Sequence, residues 1–336
     1  MKEAMFYKKL GENLVQCNLC NHRCRIADKK RGICGVRENR NGTLYSLVYG
    51  RLVATHVDPI EKKPLYHFLP GTKSYSIATV GCNFRCKNCQ NWEISQSPKP
   101  EKPISGRDVP VDKTVEAAER TGCVSIAYTY TEPVIFMEDA YDTSRIAVEK
   151  GIKNVFVTNG YITEKALKKI SPYLHAANID LKSYSDEFYR ENCGASVEPV
   201  LKSIELHKGY DIWIEITTLV IPGLNDSEEN FSQIAEFLRS LGPEIPWHIS
   251  RFYPSYYLID LPPTPIKTLR KARKIGMEAG LQHVYIGNAP GEGENTHCHI
   301  CGQLLIDRHG YSINKIDIVD SRCPKCDAKI EGIWQK

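Results

Sequence analysis

Several things are missing from these 336 residues. No apolar run approaches the ~18 residues of a membrane-spanning helix, so no span and no membrane partner is expected. The opening Met1-Lys2-Glu3-Ala4-Met5-Phe6-Tyr7-Lys8-Lys9 lacks the apolar core of a secretory signal, and a cytoplasmic protein is expected. Net charge is only +4, with 44 Lys and Arg against 40 Asp and Glu. That balance gives no indication of nucleic-acid binding. No G-x-G-x-x-G or phosphate-loop motif follows a strand-like run, which weakens a nucleotide-fold reading.

Cysteine is plentiful, with 13 in the chain. All but Cys123 and Cys193 fall into three groups: Cys17/Cys20/Cys24/Cys34, Cys82/Cys86/Cys89 and Cys298/Cys301/Cys323/Cys326. Close C-x2-C pairs without a secretion signal favour metal over disulfides. The middle group follows an apolar run, Tyr75 to Val80, at C-x3-C-x2-C spacing. Three thiolates so close can converge on one soft metal centre. Iron–sulfur clusters usually take four cysteines, so three would leave one iron open to a small molecule. A zinc knuckle with a distant fourth ligand, or a catalytic zinc, is the alternative.

The first group suits a tetrahedral zinc site or an auxiliary cluster, against the alternative of reduced cysteines without metal. His22 lies among them as a fifth ligand candidate, with a surface histidine the preferred reading. The last group is two C-x2-C pairs separated by 21 residues around a strand-rich interval, Gln303 to Val319. That pattern predicts a zinc-ribbon or rubredoxin-like module, with zinc preferred to iron. Ala289 to Asn295 reads as a linker before it.

Between the cysteine groups, Thr43 to Val57 reads as two short strands around Tyr49-Gly50-Arg51. Asp58 to Gly71, with three prolines and several charges, reads as an irregular loop, either lying across the entrance to a site or, the preferred reading, a solvated connector. From residue 75 on, strand-like runs alternate with helix-like stretches. Predicted strands are 75–80, 124–130, 154–158, 176–181, 212–220, 247–253 and 283–287. Predicted helices are 111–121, 134–150, 163–171, 197–207, 228–241 and 264–279. Such alternation means βα units on a parallel sheet. An α/β fold of the partial (β/α)6-type TIM-barrel kind is expected, with a doubly wound sheet as runner-up. The division is 1–72 (cysteine-rich segment and small β region), 73–290 (barrel) and 291–336 (metal module).

Barrels place chemistry at the C-terminal ends of their strands. The candidates there include Thr129 to Pro133, Thr158 to Tyr161, Asp180-Leu181-Lys182, Thr217-Thr218, His248 and Arg251 to Pro254. Asp180 and Glu215 lie within apolar runs and need partners if buried. Lys182, His248 and Arg251, with Tyr253, are the candidate catalytic group, suited to an anionic substrate.

The ordered motifs make the resemblance specific. Asp58-Pro59-Ile60-Glu61-Lys62-Lys63-Pro64, Cys89-Gln90-Asn91, Tyr128-Thr129-Tyr130-Thr131-Glu132-Pro133, Val157-Thr158-Asn159-Gly160-Tyr161, Asp180-Leu181-Lys182 and Ser250 to Pro254 occur in that order. The chain resembles the pyruvate formate-lyase activating enzyme-like radical S-adenosylmethionine (radical SAM) proteins, and more narrowly the AmmeMemoRadiSam-system branch. The resemblance implies that Cys82, Cys86 and Cys89 hold a [4Fe–4S] cluster whose open iron binds SAM. It implies that Glu132 helps to hold the methionine ammonium. Asn159, Asp180 and Lys182 would lie near the ribose and carboxylate, and Val220 and Ile221 against the adenine. Tyr130 and Thr131 depart from the family's two glycines, and Asn88 from its usual aromatic.

The implied activity is reductive SAM cleavage and hydrogen abstraction from a glycine of a protein partner, with an external donor of the flavodoxin or ferredoxin type. Radical chemistry on a small molecule is the second reading. A zinc-only partner-binding protein is the third.

Overall fold

The computed structural model describes residues 1–98 and 103–334. Its centre is an eight-stranded sheet. Lys73–Ala78, Ser125–Tyr128, Lys153–Thr158, Ala176–Asp180, Trp213–Val220, Trp247–Arg251 and Val284–Gly287 lie side by side and parallel, and all seven predicted strands are found. Ala54–Pro59 adds an antiparallel strand beside Lys73–Ala78. The two outer strands, Ala54–Pro59 and Val284–Gly287, are not paired with each other, so the barrel is open. It carries one parallel strand more than the six-unit form.

The helices follow from their apolar spacing. In Glu228–Leu241 the buried residues Phe231, Ile234, Ala235 and Leu238 recur at helical intervals, and the Ser227 side chain accepts from Asn230 N at the start. Such stripes cover the outer face of strands that are buried throughout, as in Ser125–Tyr128.

The connector prediction for Asp58–Gly71 is overturned. Lys63 and Glu61 are each 1 % exposed. Asp58 is bound by Lys62 (2.9 Å), Lys63 (2.7 Å) and the Tyr130 hydroxyl. Ile60, Leu65, Phe68 and Leu69 pack on Ala127, Val155 and Ala176 of the sheet. Glu215, on a central strand, accepts Tyr66 N (2.9 Å) and His67 N (2.7 Å). The segment therefore fills the barrel. Its charges are compatible with burial because each meets an opposite charge or a backbone donor.

The strands in 43–59 also form, but not as a hairpin. Thr43–Ser46 pairs with Arg37–Arg40 and Lys2–Glu3, while Ala54–Pro59 joins the barrel. The first 50 residues build small antiparallel sheets docked on the barrel by a buried Arg37–Glu138 pair (2.7 and 2.9 Å). At the other end, the stretch predicted as a linker is fixed. Glu294 is buried and accepts Gly291 N and Gly310 N. Arg308, 2 % exposed, donates to Thr296 Oγ1 (2.6 Å) and Tyr66 O (2.8 Å). Leu69 N donates to Ile333 O and Ile333 N to His67 O, tying the C-terminal module to the barrel plug.

Candidate active site and metal centres

The strand Lys73–Ala78 delivers the chain to Gly81, whose φ of +100° favours glycine. A Cβ there would also come within 2.8 Å of Cys34 O. The Cys82–Cys89 loop that follows is clamped by the turn Tyr189–Cys193. Arg85 N donates to Cys193 O (2.8 Å), Lys87 N to Asn192 O (2.9 Å) and Asn192 Nδ2 to Asn88 Oδ1 (2.9 Å). Phe84 N points at Cys82 Sγ (3.4 Å), and Ser95 Oγ lies 3.3 Å from Cys89 Sγ. Burial pushes the Cys82 and Cys89 thiols up, so metal binding must displace their protons.

Cys193 is a residue that sequence reasoning set aside. It is buried, and its thiol lies beside that of Cys86. The signal was weak: Cys193 lies 104 residues from Cys89, inside a turn with no motif.

Beside the loop, Glu132 is 2 % exposed. It accepts from Thr158 Oγ1 (2.7 Å), Asn159 N (2.8 Å) and Val134 N (3.1 Å). Burial pushes its carboxyl up to about 7 despite these donors. A cationic ligand would offset that desolvation. Asn159 Nδ2 donates to Asn83 Oδ1 (2.7 Å) and faces Cys82 Sγ (3.9 Å), so Glu132, Asn159 and the cysteine loop form one connected group. Asn83 is the link between them that the motifs did not single out. Tyr130 has φ +62°, which accounts for glycine at that place in the family and is uncommon for a bulky residue. Its hydroxyl donates to Asp58, and Lys63 Nζ lies 4.6 Å from the ring centre.

Asp180 and Lys182 pair at 2.8 Å. Burial works against the Lys182 charge, but Asp180, Cys86 and Cys193 outweigh it and hold the ammonium well above its usual range. Thr217 stands level with Asp180 in the sheet, and its buried hydroxyl has no partner. An orphaned hydroxyl beside a carboxylate, next to three cysteines, fits a polar ligand such as SAM on a cluster at Cys82, Cys86 and Cys89. Val220 and Ile221 are buried at the neighbouring strand end.

The three catalytic candidates have separate partners. Lys182 binds Asp180. His248, 2 % exposed, binds Glu215 at 2.7 Å and sits edge-on to Tyr66, inside the barrel. Arg251 donates to Thr264 O (2.8 Å) and the Tyr253 hydroxyl (3.1 Å).

The two outer cysteine groups differ. Cys298, Cys301, Cys323 and Cys326 bring their sulfurs within 4.8 Å of one another, with two pairs at 3.6 and 3.7 Å. A tetrahedral ion with Zn–S near 2.3 Å sets its sulfurs about 3.8 Å apart, so this group is built for a single ion. Among the described residues, no other group brings three or more His, Cys, Asp or Glu ligand atoms that close. Cys17, Cys20, Cys24 and Cys34 instead stand around a small cavity of about 20 Å³ that is also lined by Arg37 and Asn83. His22, read from sequence as a surface residue, is half-buried on that wall and bonded to Asn83 O (2.8 Å).

An open parallel barrel with three cysteines at the end of its first parallel strand defines a class, and comparison with known proteins agrees. Residues 76–238 match the model of the Radical SAM superfamily, and the chain belongs to that superfamily. It is 49 % identical over 335 residues to the Uncharacterized protein MJ0808 of Methanocaldococcus jannaschii, covering 98 % of this chain and 99 % of that one. It is 22 % identical over 173 residues to the Pyruvate formate-lyase 1-activating enzyme of Escherichia coli, covering 48 % and 67 % of the two. A radical SAM methyltransferase from Sphaerobacter thermophilus shares the fold, with TM-score 0.52 and 15 % identity over 70 % of this chain and 71 % of that one. Members of the superfamily are enzymes that use a [4Fe–4S] cluster and SAM, with an electron donor and a substrate. Among the described residues, no helix is long and apolar enough to cross a membrane.

Proposed function

We propose that this protein is an activating-enzyme-like radical SAM oxidoreductase that abstracts hydrogen from a backbone glycine of a protein partner. The observation that carries the reading is the connected group of Cys82, Asn83, Asn159 and Glu132 at the mouth of the barrel. A cluster bound by Cys82, Cys86 and Cys89 would supply the electron that cleaves SAM to methionine and the 5′-deoxyadenosyl radical. The chain's own residues do the rest. Glu132 receives the ammonium, while Asn159 fixes the loop to the strand end. Asp180 and Lys182 offer a carboxylate and an ammonium to the polar parts of SAM. Val220 and Ile221 give an apolar wall for adenine. Reduction would come from a flavodoxin- or ferredoxin-type protein, and the C-terminal ion would be zinc.

The second reading, a small-molecule substrate, is favoured by one feature. A recess of about 360 Å³ opens beside Gln90, lined by Tyr66, Tyr253, Asn288 and, from the C-terminal module, Tyr311. That size is within the ordinary range for small ligands. The superfamily match argues against a zinc-only binding protein.

The test uses anaerobically reconstituted protein, dithionite and SAM. Production of 5′-deoxyadenosine should be lost in Cys82→Ala, Cys86→Ala and Cys89→Ala variants and retained in Cys193→Ala. Loss of the SAM-responsive cluster signal in Cys193→Ala would make that residue a fourth ligand and sink the reading. Glu132→Gln should weaken SAM binding roughly 10- to 100-fold, the value of a hydrogen bond to an ion. Incubation with glycyl-radical proteins should yield the glycyl doublet. Its absence, with a small anion stimulating 5′-deoxyadenosine release, would transfer the assignment to the second reading.

A further inference from the structure

We infer that Cys17, Cys20, Cys24 and Cys34 hold a second iron–sulfur cluster, set against the Cys82–Cys89 loop so that the two centres exchange an electron. The electron-exchange half of this rests on the radical SAM reading; the metal assignment does not.

Three observations carry it. The first is size. The C-terminal cysteines close to 3.6 and 3.7 Å in two pairs, whereas the N-terminal four surround a small cavity and bring no three sulfurs within 4.8 Å. A single zinc ion needs its four sulfurs about 3.8 Å apart, while a cluster of several irons and sulfides holds its cysteines farther apart.

The second is the cavity wall. Arg37 and Asn83 both line it, both side chains are no more than 2 % exposed, and Arg37 Nε and Asn83 Nδ2 have no hydrogen-bond partner. Buried donors are rarely left unpaired. Arg37 is held in place by Glu138 through its other two nitrogens. An anionic cluster, with sulfide and thiolate acceptors, is the ligand that would satisfy both. Leu19, Ile26 and Ile135 complete the lining, giving the apolar surround that shields such a centre.

The third is position. Asn83 is shared: it lines this cavity and directly follows Cys82. Cys34 O packs on Gly81, the residue before Cys82, and Arg85 donates to Ile33 O. On the other side Cys24 is partly exposed and Ile33 is 44 % exposed. The site therefore lies between solvent and the SAM-binding loop. One electron from a ferredoxin- or flavodoxin-type donor would enter there and pass inward. The N-terminal centre then returns to its oxidised form, with no bond made or broken.

The experiment uses full-length protein, reconstituted without oxygen. In a Cys82→Ala/Cys86→Ala/Cys89→Ala variant, about four irons with matching sulfide should remain, with one zinc at the C-terminal site. Cys17→Ser/Cys20→Ser should lose that iron and keep the SAM-responsive signal. In doubly reduced wild type, paramagnetic resonance should show spectra broadened by coupling between the centres, absent from both variants. A triple variant with no iron and two zinc ions overturns the metal assignment. A wild-type spectrum that is the plain sum of the two variants overturns electron exchange. If Cys17→Ser/Cys20→Ser does not fold, the triple variant decides the metal alone. A wild type without any SAM-responsive signal, alongside an iron-retaining triple variant, counts against the radical SAM reading and for this site.

Discussion

The two four-cysteine modules carry the same ligand set and are attached to one barrel in different ways. The C-terminal module is joined by neutral partners. Arg308 donates to Tyr66 O, Thr296 Oγ1 shares a hydrogen bond with the Tyr285 hydroxyl, and the backbone at His67 and Leu69 pairs with Ile333. The N-terminal module adds charge to such contacts: beside the backbone bonds of Asn21 N to Tyr161 O and Thr163 N to Leu19 O, it is joined through Arg37 on Glu138 and through Gly50 N on Asp139. A ligand count therefore says little about what a cysteine module does. The spacing of its sulfurs and the chemistry of its seat say more.

The sharpest way to break the comparison is to empty the C-terminal site. Its core is small, with Leu305, Ile306 and Ile330 packed around Cys298 and Cys323, so the ion must stabilise the module. Because Ile333 pairs with the barrel plug, the loss should spread inward. Cys323→Ser/Cys326→Ser should lower Tm by roughly 10 °C and loosen amide protection at His67–Leu69 as well as in the module. Unchanged protection at His67–Leu69 would mean that the module and the barrel are stabilised independently.

A smaller effect is expected at the charged seat. Glu138→Gln leaves the Arg37 guanidinium buried without its counter-ion. Breaking a buried pair costs about 3–5 kcal/mol. Thermal unfolding of the metal-loaded protein should show that loss, and Arg37→Met/Glu138→Met should recover most of it. If the single and double variants are equally destabilised, the pair is not what makes this seat depend on charge.

The periodic part of this architecture was legible before any coordinates. Seven apolar runs became seven strands, and the cysteine spacings marked all three groups, because both signals are local. What could not be read was every choice made by a distant partner. Lys63 and Asp58 look like solvent residues until Tyr130 and the barrel interior surround them. His248 looks like a mouth residue until Glu215 claims it from within. Arg308 has no helical or strand pattern that announces Tyr66, 242 positions away. The wide N-terminal and tight C-terminal sulfur geometries were equally invisible, since C-x2-C is common to both.

The smallest predicted effect sharpens the comparison through pH. Asp139 is buried, and desolvation, opposed by Gly50 N and Thr143 and aided by Asp142 and Glu138, pushes its carboxyl up to about 7 from an ordinary 3.8. The folded state thus favours the protonated acid. This contribution is fully present below pH ~4 and is lost as pH rises toward 7 and above. At the C-terminal seat the titratable group is His67, whose ring bonds Glu331 O at 2.8 Å; burial holds it well below its ordinary 6.5, so its contribution is present above that pH and is lost on acidification, the opposite sense. Asp139→Asn keeps an oxygen for Gly50 N and removes the ionisation. Its Tm should match wild type near pH 4.5 and exceed it by on the order of 2–4 °C at pH 8. Protection of Gly50 should follow the same course, while that of Ile333 should not. A wild-type Tm profile parallel to that of Asp139→Asn from pH 4.5 to 8 would show that Asp139 is already ionised in the fold, and that the N-terminal seat holds its charge without cost.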